Sequence, residues 1–241
     1  MKTLVSLLAL AAAIPAFADE PAPAADPLSF NVGVVSEYRY RGISQSRLRP
    51  ALQGGIDYAG ANGFYVGTWA STIKWVKDAG SDGDVEVDLY GGYRTEVAKG
   101  LTLDVGVLQY VYPSNKLNPS ANTFELYGAV SFGPVTAKYS HSTTNLFGYA
   151  DSRNSGYLDV TANFDIGDGF SLAPHVGHQT VRHLAAASYT DYSLTLAKDF
   201  SGLVLSGSLV GTDADKTTYA SPVNGKFMGK TALVVGLKKT F

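Results

Sequence analysis

Residues Lys230–Phe241 read Lys-Thr-Ala-Leu-Val-Val-Gly-Leu-Lys-Lys-Thr-Phe and end on an aromatic side chain. Leu233, Val235, Leu237 and Phe241 share one parity, and this period-two spacing places apolar side chains on one face of a β-strand. A β-barrel that crosses a membrane has to pair its last strand with its first, because lipid offers no partner for an open sheet edge. We therefore predict that this segment closes such a barrel and that the preceding segments supply the other strands.

The composition fits a sheet with tight turns and excludes several functions. The 241 residues include 15 Tyr, 11 Phe and 26 Gly, residue types that favour strands and chain reversals. Charged residues are 17% of the chain and the formal net charge is −2, so nucleic acid is not an expected partner. Cysteine is absent, which excludes disulfides and thiolate metal sites. Stability must then come from closure of the sheet.

The N-terminal residues are predicted to lie outside the fold. Residues 1–18 resemble a cleaved signal peptide, with a short apolar stretch at Leu4–Ile14 and small residues before a cleavage site after Ala18. The apolar stretch is too short to span a bilayer, which needs roughly 20 residues. Residues 19–27 are rich in Pro and Ala and are predicted to form a disordered spacer. Residues 28–241 are predicted to form one outer-membrane β-barrel.

Strand-like segments recur at regular spacing, and the connections between them alternate between short and long. Short turns at one rim and long loops at the other are typical of transmembrane barrels. We predict an all-β fold, an antiparallel up-and-down barrel of about 12 strands. The predicted strands are Leu28–Arg41, Arg49–Tyr58, Phe64–Trp75, Val85–Arg94, Leu101–Tyr112, Thr123–Phe132, Val135–Ser142, Ser155–Phe164, Phe170–Gln179, Tyr189–Lys198, Leu203–Thr212 and Lys230–Phe241.

Charged residues repeatedly occupy the face opposite the apolar row. Val85, Val87 and Leu89, for example, alternate with Glu86 and Asp88. A soluble lipocalin-like barrel would enclose the apolar row, but the signal peptide, the terminal aromatic residue and the short-turn rim favour lipid outside. The predicted pore-lining residues are Glu37, Arg39, Arg41, Asp57, Glu86, Asp88, Arg94, Asp104, Glu125, Lys138 and Asp159.

Aromatic residues recur next to the short turns. Rings at one height suit the membrane interface, so we predict a girdle there. In Phe64–Trp75 either set of alternating residues could face outward, and we place Phe64 on the outer face. The predicted girdle comprises Phe30, Tyr58, Phe64, Tyr93, Phe132, Phe164, Phe170 and Phe241, with Phe200 at the same height.

Two functions remain open for such a barrel. Interior charges of both signs would set solute preference in a channel for passive diffusion of small hydrophilic solutes. The same charges could pair and fill a closed barrel that acts through its outer loops as a structural or adhesive protein. The sequence does not decide whether a loop such as Asp213–Gly229 folds inward as a plug.

Several motifs resemble one family. Tyr38–Ser46, followed by Pro50–Gly54, resembles the start of the TorF family of proteobacterial outer-membrane proteins, and Gly63–Ser71 and Tyr90–Tyr93 are similar to its next signatures. Further matching pieces are Phe147–Gly148, Ser155–Leu158, His175–His178 and Tyr189–Ser193. The resemblance implies a porin-type barrel in the bacterial outer membrane and supplies no catalytic residue. Expected partners are outer-membrane lipid, small hydrophilic solutes, and the barrel-assembly machinery through the strand ending in Phe241.

No catalytic residues are predicted. The run Tyr139–Ser142 superficially resembles outer-membrane lipid hydrolases, in which a serine and a histidine cooperate. Those enzymes keep the serine two residues after the histidine, on the same strand face. Here Thr143 occupies that position after His141, so we predict that the chain is not an enzyme.

No metal site or cofactor is predicted either. His175 and His178 are three residues apart, so on a strand they point to opposite faces and cannot share a metal ion. The acidic loop that runs from Asp78 to Glu86 lacks the ligand spacing of an EF-hand, which favours a solvated loop.

Overall fold

A computed structural model describes residues 27–241, which form a closed antiparallel β-barrel. The predicted signal peptide and nearly all of the predicted spacer lie outside the described residues. In chain order the strands are β1 (Leu28–Val35), β2 (Arg39–Tyr40), β3 (Ile43–Ser44), β4 (Ala51–Ala59), β5 (Phe64–Thr72), β6 (Val85–Ala98), β7 (Leu101–Val111), β8 (Thr123–Phe132), β9 (Val135–Ser142), β10 (Gly156–Ala162), β11 (Phe164–Gly167), β12 (Phe170–Thr180), β13 (Tyr189–Asp199), β14 (Leu203–Thr212) and β15 (Ala232–Thr240).

The barrel wall has the predicted twelve strands. β10 and β11 both pair with β12 and are successive parts of one barrel strand, while β2 and β3 pair only with each other. Each remaining strand pairs with its neighbours in the chain, which is the up-and-down order. The described helical structure is one short helix, α1 (Trp75–Asp78), and a 3₁₀ turn at Ala185–Ala187. Among the described residues, no helix is long and apolar enough to cross a membrane.

The barrel closes where the sequence predicts, between the first and last strands. β1 and β15 are antiparallel, with Val35 opposite Gly236 and Asn31 opposite Thr240. The backbone N–H of Phe241 donates to the carbonyl of Phe30 at 2.9 Å, which extends this pairing to the final residue. Closure leaves no row of unpaired backbone groups along this seam.

The two rims differ as predicted. One rim, which we call the short-turn rim, carries tight reversals such as Gly133-Pro134 between β8 and β9, where Gly133 has φ +55. The other, the long-loop rim, carries the six longer connections, of which residues 213–231 are the longest.

The strand faces also match the prediction, with apolar side chains outward and charged side chains inward. In β13, for example, Leu194 and Leu196 are exposed on the outer wall, whereas Asp191 and Thr195 are buried inside. Phe64 points outward, as we placed it. All eight predicted girdle residues and Phe200 are exposed around the short-turn rim. Their role at a membrane interface stays a prediction.

The first strand departs from the prediction. β1 ends at Val35 instead of Arg41, and residues 36–50, which we call the inner hairpin, turn into the barrel and carry β2 and β3. The chain reverses at Arg41 (φ 46) and Gly42 (φ 76), and a Cβ at Gly42 would lie 2.7 Å from Cβ of Asp191. Only glycine fits so close an approach at positive φ. β5 also ends early, at Thr72 instead of Trp75, because the chain there enters the loop that contains α1.

Candidate functional site: the lumen and its outer mouth

All eleven predicted pore-lining residues point into the barrel, but they do not all lie on its wall. Eight lie on wall strands, and Glu37, Arg39 and Arg41 lie on the inner hairpin. These three were predicted as part of a wall strand, and that placement is wrong. The alternation of Tyr38, Arg39, Tyr40 and Arg41 is typical of a strand, although the chain leaves the wall after Ser36.

Buried ion pairs hold the inner hairpin across the lumen. The guanidinium of Arg41 donates to both carboxylate oxygens of Glu125, at 2.8 and 3.0 Å, and to Oε1 of Gln179 at 2.6 Å. Arg39, only 2% exposed, donates to Glu37 at 2.8 Å and to the carbonyl of Gly42 at 2.8 Å. Buried charges are retained only when they are paired in this way, so the hairpin is fixed to β8 and β12 in one arrangement.

Aromatic rings fill the space around these pairs. The hydroxyl groups of Tyr40 and Tyr110 are 2.5 Å apart, and both rings pack edge-to-face against Phe147. The guanidinium of Arg41 lies 4.2 Å from the ring centroid of Tyr157. Tyr110 is 1% exposed, so the middle of the lumen is packed at this level.

Loops of the long-loop rim also contact the inner hairpin, on its side facing that rim. The N–H of Ser44 donates to the carbonyl of Met228 at 3.0 Å, and the N–H of Lys74 donates to the carbonyl of Gln45 at 2.8 Å. Arg47 is paired with Asp78 of α1 through Nε and Oδ2 at 2.6 Å. The segment that enters the lumen is therefore the inner hairpin, while residues 213–231 cover it from outside.

A second polar network lies on the inner face of the wall, closer to the short-turn rim. Nη2 of Arg94 donates to Oδ2 of Asp104 at 2.8 Å, and the hydroxyl of Tyr65 donates to Oδ1 of the same carboxylate at 2.6 Å. Tyr90 of β6 donates to Asp57 of β4 across the intervening strand β5. These predicted lumen charges are thus hydrogen-bonded in pairs.

Sequence reasoning missed one inward-facing cluster. Nε2 of His175 lies 2.9 Å from Asp159, Nδ1 lies 3.6 Å from Asp191, and the hydroxyl of Tyr157 donates to Asp191 at 2.9 Å. The strand parity could have found two of these residues. Asp191 shares a face with Thr195 opposite the leucines of β13, and His175 pairs in register with Ser193.

The inner hairpin separates two cavities. The waist cavity, about 50 Å³, is lined by Glu37, Arg39, Lys138, Asp159 and His175 among others. Its volume suffices for a few water molecules. Oε2 of Glu37 and Nε of Arg39 are buried and have no hydrogen-bond partner among the described groups. An acceptor and a donor are therefore available beside the waist cavity.

The mouth cavity, about 430 Å³, lies on the other side of the inner hairpin and opens among the long loops. Tyr40 and Arg41 line both cavities and form the partition. The remaining lining comes from other residues of the inner hairpin, from the loop that carries α1, from three further outer loops and from the loop-side ends of β12 and β13. The size is typical of sites for small molecules.

The residues weighed for catalysis and metal binding are not brought together. Nε2 of His141 lies 3.2 Å from Asn154 at the loop end of the outer wall, whereas Ser140 and Ser142 are buried on the inner face. His175 faces the lumen and His178 is exposed outside. Within residues 27–241, no group of three or more His, Asp or Glu side chains is placed to hold a metal ion.

Solved structures share this architecture. The KdgM porin superposes with a TM-score of 0.58 at 9% identity, over 88% of this chain and 99% of that one. The NanC porin gives 0.56 at 12% identity over 89% and 98%, and an outer-membrane channel from Pseudomonas putida F1 gives 0.52 at 14% over 90% and 96%. At these identities the likeness concerns the fold. It confirms the closed twelve-stranded antiparallel barrel predicted from the sequence.

A comparison with curated proteins finds no match. The family described as "Bacterial protein of unknown function (Gcw_chp)" matches residues 19–241, which include all of the described residues and the whole predicted spacer. That description does not contain the TorF name, so the resemblance to TorF stays a prediction. The match over most of the chain shows that this protein belongs to the Gcw_chp family of bacterial proteins of unknown function.

Proposed function

We propose that this protein is an outer-membrane channel for passive diffusion of small hydrophilic solutes. The observation that carries the proposal is the distribution of side chains on a closed barrel. Leucine, valine and aromatic residues cover the wall, and the charged residues, including Glu86 and Lys138, lie inside. An apolar exterior matches lipid, and a polar interior matches water.

The inner hairpin makes the lumen narrow and sets the class of solute. Its side chains present both signs of charge at the waist cavity, where Glu37 and Arg39 each keep one unpartnered polar atom. Solutes that can both donate and accept hydrogen bonds suit such a constriction, and large or apolar solutes do not.

The same feature supports a second candidate function, a non-conducting structural or adhesive barrel. Ion pairs such as Arg41–Glu125 hold the inner hairpin across the middle of the lumen, and Tyr110 is nearly inaccessible there. In this alternative the hairpin is a permanent plug and the long loops are the functional surface.

Recording from planar lipid bilayers tests the two candidates. We expect the purified, refolded protein to give steady single-channel steps of low conductance in potassium chloride. If no current is measured at any voltage, in bilayers in which a known porin does conduct, the diffusion channel is rejected and the plugged barrel is the remaining candidate.

Localisation and partners belong to the same proposal. We infer that the chain is exported through its N-terminal segment, with cleavage after Ala18. The apolar wall then contacts outer-membrane lipid, and the strand ending in Phe241 is recognised by the barrel-assembly machinery. The resemblance to TorF and the fold shared with porins support this placement. We infer no enzymatic role, since the fold serves as a channel in those proteins.

The ion selectivity of the waist should depend on Lys138. This side chain lines the waist cavity, and its ammonium group lies 3.9 Å from the ring centroid of Tyr127. We expect Lys138→Gln to shift the reversal potential in a potassium chloride gradient towards cation preference, with about a twofold change in permeability ratio.

A matched control uses a lysine on the other side of the wall. Lys198 lies over the ring of Phe170 at the outer short-turn rim, so Lys198→Gln should leave the reversal potential unchanged. If Lys138→Gln also leaves it unchanged, Lys138 is not on the permeation path.

A further inference from the structure

The mouth cavity has the size and the lining of a ligand site, and the inner hairpin separates it from the waist cavity. Seven aromatic side chains line it, and five of them come from four different outer loops: Trp75, Tyr112, Phe147, Tyr149 and Tyr219. Trp75 and Tyr112 pack edge-to-face with centroids 5.0 Å apart, which fixes both rings. Fixed aromatic rings around a concave space are typical of small-molecule sites.

The charges that line this cavity are already neutralised. The charged lining residues are Arg41, Arg47 and Asp78. Arg41 is paired with Glu125, and Arg47 is paired with Asp78. A charged ligand would have to break one of these pairs, at the cost of leaving a charge uncompensated. An uncharged ligand fits the cavity better.

Polar groups nevertheless remain available along the walls. Burial raises the pKa of the phenols of Tyr149 and Tyr219, so both remain neutral hydroxyl groups. The Tyr219 hydroxyl donates to the carbonyl of Ala187 at 2.6 Å, so a ligand would meet its oxygen as an acceptor. Nε1 of Trp75 is buried at the lining without a hydrogen-bond partner among the described groups, although such donors are usually paired. A ligand oxygen that reached this donor would satisfy it. The ligand must therefore combine apolar faces with hydroxyl groups.

We propose that the mouth cavity binds an uncharged sugar. The C–H faces of a sugar ring pack on aromatic rings, whose faces carry partial negative charge, and its hydroxyl groups pair with Tyr, Gln and indole groups. The five rings, the paired charges and the unsatisfied indole N–H together favour this class over ionic or purely apolar ligands. The site is built by the outer loops and the inner hairpin, so binding does not require that the barrel conducts.

Tryptophan fluorescence tests the proposal directly. The chain has two tryptophans, so Trp69→Phe, a change inside the lumen, leaves Trp75 as the only indole. The refolded protein is titrated in an amine-oxide detergent, which has no sugar headgroup, with maltose, cellobiose and lactose. We expect a saturable change in Trp75 emission with at least one of them, with a dissociation constant on the order of 1 mM.

Two further titrations make the result specific. A disaccharide that contains glucuronic acid should bind at least about tenfold more weakly, because the nearby arginines are already paired. Phe147→Ala should weaken binding by about tenfold or more, and Tyr139→Ala, on the outer wall, should not change it. If Phe147→Ala fails to fold, Tyr149→Phe, which removes one hydroxyl group, replaces it and should weaken binding severalfold.

Three results would overturn the proposal. These are no saturation up to about 100 mM for any of the three sugars, equal binding of the acidic disaccharide, or saturation by indole in the absence of sugar binding. Saturable sugar binding in a protein that is silent in bilayers would retain this site and reject the diffusion channel. Conductance without sugar binding would retain the diffusion channel and reject the sugar site.

Discussion

Replacing residues 37–48 with a four-residue Gly/Ser turn is expected to raise single-channel conductance about fivefold or more, because the inner hairpin occupies the middle of the lumen. Val35 and Ala51 are paired in register, so a tight turn can join β1 to β4 without disturbing the wall. The change removes Glu37, Arg39 and Arg41 together. Glu125 then faces water, where an unpaired carboxylate is well solvated. Single-channel recording in planar bilayers measures the effect.

A deletion of residues 223–225 is the matched control for this prediction. These residues lie exposed in the loop between β14 and β15, on the same rim, and do not enter the lumen. Conductance should stay at the native value. If the native protein is silent and the hairpin replacement conducts, the hairpin is a plug and the non-conducting candidate is favoured. Equal conductance in the native and replaced proteins would show that the hairpin does not limit passage.

The barrel wall could be predicted from sequence because its two faces differ in polarity. An apolar outer wall and a polar interior impose a period of two, which is seen in the alternation of Val85, Val87 and Leu89 with Glu86 and Asp88. Strand number and order follow from the same alternation and from the spacing of the turns. The closing pair of Phe30 and Phe241 follows from the need to leave no open edge.

The inner hairpin could not be predicted in the same way. Tyr38, Arg39, Tyr40 and Arg41 alternate in type, but inside the lumen both faces of the segment are buried among protein groups. Periodicity therefore carries no information about their direction. The pairing of Arg41 with Glu125 depends on a chain reversal at Gly42 and on barrel closure. The glycine indicates a turn, but no local pattern indicates that the turn lies inside the lumen.

The cluster of His175, Asp159 and Asp191 lies between these two cases. The parity of β10, β12 and β13 places Asp159, His175 and Asp191 inside, so their facing was predictable. Their contact was not, because it also requires the register between β10, β12 and β13. The mouth cavity could not be predicted from the sequence, because its aromatic rings come from loops whose paths no local sequence pattern determines.

Leu194→Lys is expected to destabilise the barrel in lipid by about 2–4 kcal/mol, the cost typical of a lysine on the outer face at the bilayer midplane. Leu194 lies at the middle of β13, points outward and is half-exposed on the wall. Its register partners, Pro174 and Leu209, offer no acceptor side chain for the ammonium group. Urea titration of the protein folded into lipid vesicles measures the loss.

The same substitution at another depth provides the control. Leu203 begins β14 at the short-turn rim and also points outward, so Leu203→Lys can extend its ammonium group to water and should cost about 0–1 kcal/mol. The natural Lys198 lies at this height over an aromatic ring, which shows that the rim accepts a lysine. Equal costs at the two depths would mean that the wall does not face a hydrocarbon layer. The channel proposal would then fail together with the membrane placement, whatever the lumen contains, because a depth-dependent cost arises only when the surrounding solvent changes from apolar to aqueous along the strand.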